Sequence, residues 1–180
     1  MSARIAPLAP PYSPEVKAAL DKWMPPGTGA PPLALFRTLA RNEALSERMR
    51  TLGAYLLGRS RLPARVRELL ILRTSARTGA EYEWGVHVTA FSETVGLDEA
   101  AVRATCAAEV TGADALLCRF VDELCDASTV TDETWAALAT RFGPEDLLEL
   151  IAVVGFYHLI AFMVNAVGVE REPWAARFPE

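Results

Sequence analysis

Cysteine is scarce in this chain. Cys106, Cys118 and Cys125 are the three present in 180 residues, and no two of them form a C-x-x-C. Cys118 and Cys125 are seven apart, which on one helix separates them by roughly 10 Å, too far for a disulfide. The pattern is that of three reduced cysteines acting as small apolar residues in a reducing compartment, and a cytoplasmic protein is expected. Strand signals are nearly absent too, which points to an all-α fold. The 18 Lys and Arg form no basic run and the net charge is −5, so the positive footprint that nucleic-acid binding requires is missing. Met1-Ser2-Ala3-Arg4 leads into a proline-rich stretch with no apolar core, which does not read as a secretory signal.

Apolar residues, by contrast, are plentiful. They make up 51% of the chain, and the mean hydropathy is +0.16. An apolar excess of this kind fits a surface hidden against a second copy, and a homo-oligomer (dimer, trimer or hexamer) is expected. The longest uncharged run, Leu150 to Val169, matches a bilayer in length. It contains Gly155, His158, Asn165 and Gly168, however, and its flanks lack the Lys/Arg bias that orients a span. A helix buried in a core or an oligomer interface is the expectation, with no membrane partner.

Helix punctuation is dense. Ser13-Pro14-Glu15 opens a helix to about Trp23, and Met24 to Pro32 is a loop. Further helices are predicted over about 33–41, 43–57, 63–78, 80–95, 98–108, 111–127, 131–142 and 144–167, many of them bounded by Gly, Pro, Asp or Thr at helix-capping positions. Connections are short, so one compact multi-helix domain over residues 1–180 is expected.

Two of these helices carry candidate chemistry. In the helix before Gly79, Glu68 shares a face with Ile71, Leu72, Ser75 and Ala76. A carboxylate on such a stripe is costly unless paired; it is either a structural ion pair, for instance with Arg65, or part of a site. In the helix after Gly79, Glu83 and His87 are four apart and adjacent, with Ala80, Trp84 and Phe91 on the same face. A carboxylate beside an imidazole orients it and raises its pKa. The alternative is a partly exposed pair of little energy, which the flanking aromatics argue against. Glu68, Glu83, His87 and His158 are of metal-binding type, but Glu-x-x-x-His matches neither helical metal motif considered; no metal and no cofactor are expected.

The stretch R-E-L-L-I-L-R-T-S-A-R-T-G-A-E-Y-E-W-G-V-H, Arg67 to His87, resembles the signature helix pair of the carboxymuconolactone decarboxylase family. That family also contains the alkylhydroperoxidase D proteins, whose pattern is Glu, eleven residues, Cys, two residues, Cys, three residues, His. Glu68 and His87 take the outer positions, and the two cysteine positions fall on Ala80 and Glu83. The resemblance implies an all-helical alkylhydroperoxidase D-like domain and a decarboxylase-like lyase acting on a small carboxylated lactone or related carbonyl acid. Thiol peroxidase or disulfide reductase chemistry needs a low-pKa thiolate and a resolving thiol, which Ala80 and Glu83 do not supply. Catalysis is expected from His87, Glu83 and Glu68, with His87 the proton donor or acceptor and Glu83 orienting it. Arg73 or Arg77 would bind a substrate carboxylate, Tyr82 and Trp84 would line the pocket, and His158 is a further candidate. The alternative is a helical oligomer that binds a small ligand without turning it over.

Overall fold

The computed structural model describes residues 3–24 and 30–179. The expected loop therefore lies partly outside the described residues. Within them are nine α-helices and no strand: α1 (Pro14–Asp21), α2 (Ala34–Leu39), α3 (Glu43–Gly58), α4 (Ala64–Arg77), α5 (Glu81–Phe91), α6 (Glu99–Ala104), α7 (Ala115–Ala127), α8 (Asp132–Ala139) and α9 (Pro144–Val167). Side-chain caps fix several starts. Ser13, Asn42, Asp98 and Thr131 each accept a hydrogen bond from the backbone N–H three residues on. Thr111 does not cap a long helix: a single 3₁₀ turn (Gly112–Asp114) comes first, and α7 starts at Ala115. The helix expected over 80–95 ends earlier, at Phe91.

At the centre lies α4. Leu69 through Ser75 are seven consecutive buried residues, so the helix is covered on every side. It packs against α5, α7 and α9. Sequence periodicity could not place a helix that has no exposed face in its middle. The apolar α9 is the second wall. Val153, Val154, Phe156, Tyr157, Ile160, Ala161 and Val164 are buried, and 56% of its most apolar window lies inside the fold. Its length and composition suit a bilayer, yet that burial is what a core helix requires.

The reversal between α4 and α5 brings the candidate residues together. Gly79 sits at φ +64°; its N–H donates to the Ala76 carbonyl and that of Ala80 to the Ser75 carbonyl. This is a helix-ending geometry in which an L side chain at the left-handed position would be strained. The α9 residue Asn165 completes the end of α4 by donating to the Thr78 carbonyl at 2.8 Å. On the far side of α5 the C-terminal tail lies flat. Ala176 N–H reaches the Gly85 carbonyl, and a Cβ at Gly85 would stand 2.1 Å from the Ala176 carbonyl oxygen. Only glycine permits that approach.

Candidate active site

Glu68, on the second turn of α4, is 1% exposed, and His87, at the end of the second turn of α5, is 4% exposed. Their side chains meet at 2.6 Å, Glu68 Oε2 to His87 Nδ1. The other ring nitrogen, Nε2, faces Glu83 Oε1 at 3.3 Å. The imidazole is thus held between two carboxylates, the tighter contact coming from the preceding helix. This differs from the sequence expectation in one respect. Glu68 is the close orienting partner, and Glu83 is the looser one, nearer the surface. Glu83 also occupies the first turn of α5, where the unsatisfied N–H groups favour negative charge.

Aromatic rings close the imidazole on two sides. Phe91 lies tilted at 5.0 Å between centroids and Tyr157 of α9 edge-on at 5.1 Å. Burial alone would depress the His87 pKa, but the Glu68 and Glu83 carboxylates outweigh it and raise it from 6.5 to about 9. At neutral pH the ring is an imidazolium, an acid with its proton in place. Tyr157 is pushed above the ordinary phenol value by burial and by Glu83 and Glu68. Its hydroxyl makes no hydrogen bond to any other described residue.

One neighbour carries a charge that sequence reasoning did not assign. Arg67 Nε donates to Glu68 Oε1 at 3.2 Å, and the guanidinium is partly exposed. Its two Nη groups make no hydrogen bond among the described residues. Arg67 is adjacent in sequence to Glu68, and that adjacency was the one available signal. Tyr157 offered none, because it arrives from a helix seventy residues downstream.

The other candidates sit elsewhere. Arg73 is fully buried and committed: Nε and Nη2 form a paired contact with both Asp122 oxygens at 2.7 Å, and Nη1 donates to the Thr105 and Ala107 carbonyls. It ties α4 to α7 and the α6 end, and the expectation that it binds substrate is corrected accordingly. Arg77 pairs with Asp126 at 2.6 Å. Arg65 pairs with Asp114, not with Glu68. Tyr82 accepts from Leu35 N–H and donates to Glu172, locking α2 and the tail onto α5. Trp84 donates to Thr105 Oγ1 at 3.0 Å and packs on Phe178, so its indole is committed to the α6 end and the tail. His158 lies beside Cys125 and Phe162, apart from the carboxylates. The three cysteines are free thiols, and burial raises the pKa of each, Cys118 to about 12. Among the described residues no group of three His, Cys, Asp or Glu side chains is placed to hold a metal ion.

Comparison with known proteins agrees with this layout. Residues 43–116, which run from α3 to the start of α7 and include Glu68, Glu83 and His87, match the sequence model of the Carboxymuconolactone decarboxylase family. No curated protein matches the chain. Among solved structures, an uncharacterized peroxidase-related protein from Silicibacter sp. TM1040 superposes with a TM-score of 0.79 at 16% identity, covering 97% of this chain and 96% of that one. The debrominase Bmp8, as an alanine variant in complex with 2,3,4-tribromopyrrole, gives 0.73 at 15% identity over 97% and 94%. An alkylhydroperoxidase AhpD core protein from Ralstonia eutropha JMP134 gives 0.63 at 16% over 96% and 95%. At these identities the likeness is one of fold.

Proposed function

We propose, for a chain that belongs to the carboxymuconolactone decarboxylase family through residues 43–116, that it is an acid–base enzyme acting on a small carboxylated lactone or related carbonyl acid. The observation that carries this reading is the His87 imidazolium clamped between Glu68 and Glu83. Such a triad holds and moves a proton, and it contains no thiol. Glu68 anchors Nδ1, and Glu83, the more exposed carboxylate, exchanges the proton of Nε2 with the substrate. Arg67 binds the substrate carboxylate through its Nη groups. The Phe91 and Tyr157 rings pack against the imidazole and shield it from bulk water.

In a decarboxylation the C–CO₂ bond breaks and its electron pair passes into the conjugated carbonyl. The resulting enolate carbon then takes a proton delivered from His87 through Glu83, and the released CO₂ departs. A proton taken up from solvent restores the imidazolium, so each turnover consumes the carboxylate and one proton and releases CO₂.

The test is turnover of a panel of carboxylated lactones and β-keto acids, with CO₂ release and, in D₂O, deuterium incorporation at carbon as readouts. Glu83→Gln and His87→Gln are expected to lower kcat by about 10²-fold or more. Arg67→Met should chiefly raise KM, and Arg77→Met should change neither. Full turnover by His87→Gln would sink the proposal. Calorimetric binding of a lactone acid, lost in Arg67→Met, with no turnover across the panel would instead establish a non-catalytic binding protein.

A further inference from the structure

Away from the candidate active site, the fold brings a second pair of reactive side chains together. Cys125 lies in the last turn of α7 and His158 in the middle of α9, two helices that both pack on α4. Sγ stands 4.0 Å from Nδ1, a long contact for a hydrogen bond. Both residues are half-buried, neither sealed in the core nor fully open to solvent. The Phe162 ring tilts against the imidazole at 4.6 Å between centroids. The acid–base reading of His87 makes no use of this pair.

We infer that Cys125 and His158 together bind one soft monovalent metal ion of the Cu(I) class, which joins α7 to α9. Thiolate sulfur, supported by imidazole nitrogen, is the donor such an ion selects. The span between the two atoms sets the coordination number. With bonds of the length zinc makes, about 2.3 Å to sulfur and 2.0 Å to nitrogen, donors at the tetrahedral angle would approach to about 3.5 Å. The observed 4.0 Å opens the same angle to roughly 135°. That is a step toward the straight arrangement of an ion held by two ligands.

The surroundings supply no third and fourth ligand. On α7, Asp122 is held by Arg73 and Arg77, and Asp126 by Arg77. Among the described residues no three His, Cys, Asp or Glu side chains are placed around one ion, whereas a structural zinc site takes four ligands. Charge favours a monovalent ion. In binding, the S–H bond of Cys125 breaks, sulfur bonds to the metal and the proton leaves to solvent. Nδ1 of His158 donates its lone pair, and Nε2 keeps its hydrogen. Thiolate, neutral imidazole and a singly charged cation sum to zero, which a half-buried site tolerates. The carbonyl end of α7, where Cys125 sits, adds partial negative charge toward a cation.

Anaerobic titration with Cu(I), buffered by the chelator bicinchoninate, tests this in the full-length C106A/C118A variant, in which Cys125 is the one thiol left. One equivalent is expected to bind per chain, with release of one proton. Cys125→Ser should abolish binding, and His158→Gln should weaken it about a hundredfold or more. His158→Met, which returns a soft donor, should recover most of that loss. Zn(II) should bind about a hundredfold more weakly than Cu(I), because it lacks its further ligands. On the wild-type chain, one equivalent of Cu(I) should shift the imidazole NMR resonances of His158 and leave those of His87 in place. That readout holds whether or not the cysteine variant folds. Unchanged affinity in His158→Gln, no recovery in His158→Met, Zn(II) bound as tightly as Cu(I), or a wild-type His158 that does not respond would each overturn the inference.

Discussion

The charged state of His87 has a consequence for stability that can be worked through. Its pKa of about 9 in the folded protein stands about 2.5 units above the unfolded value of 6.5. At 1.36 kcal/mol per unit, the imidazolium contributes about 3 kcal/mol to folding. Because the folded value is the raised one, the contribution is complete below pH 6.5 and disappears as the pH climbs through 9. The native state binds the extra proton across that window, so stability falls with pH. For a chain of this length a loss of about 3 kcal/mol lowers Tm by roughly 6–12 °C. Urea unfolding at intervals from pH 6 to pH 10 reads this directly, and His87→Gln measured alongside subtracts the titration of every other group. The wild-type-minus-variant difference should decline across pH 6.5–9, with the imidazole C–H resonance of His87 titrating near 9 by NMR. A difference independent of pH, or a His87 resonance that titrates below 7, would refute the reasoning. Either result would mean that burial defeats the carboxylates and the ring is neutral.

Other consequences are more local. Arg73→Met should cost about 3–5 kcal/mol in chemical unfolding, because it leaves Asp122 and two carbonyls without their buried partner. With Asp122 also replaced, as in R73M/D122L, the part of that loss due to the unpaired carboxylate should be recovered, the part due to the Thr105 and Ala107 carbonyls not. Gly85→Ala places a Cβ against the Ala176 carbonyl; a loss of about 1–3 kcal/mol is expected, with faster proteolytic removal of the C-terminal tail. Tyr157→Phe removes a hydroxyl that bonds to no other described residue, so stability should stay within about 0.5 kcal/mol. The proposed function uses only the ring, which the variant keeps, so turnover should stay near wild type as well.

Helix identity is legible because local chemistry writes it. Caps at Ser13, Asn42, Asp98 and Thr131, glycines at the turns, and the near absence of strand signals act within a few residues of chain. The span expected over 144–167 matches α9 residue for residue. Where local signals compete, sequence and structure part. Thr111 has the chemistry of a cap, but a 3₁₀ turn intervenes before α7, and α5 stops four residues before the expected end. Arg73 departs from expectation for a different reason. A guanidinium on a helix reads as a solvated or ligand-facing group unless Asp122, 49 residues away, is known to meet it.

The opposition of Glu83 and His87 follows from sequence alone, since four residues on a helix are one turn whatever the fold does. The distance from Glu68 to His87, nineteen residues apart, is fixed only by the reversal at Gly79 and by α9 pressing both helices together. Which carboxylate holds which nitrogen is likewise a tertiary result. The approach of two helices sets Glu68 at 2.6 Å and leaves Glu83 at 3.3 Å. The charge on His87 belongs to tertiary structure as well, because the balance of burial against two anions exists only once the chain has closed around the ring.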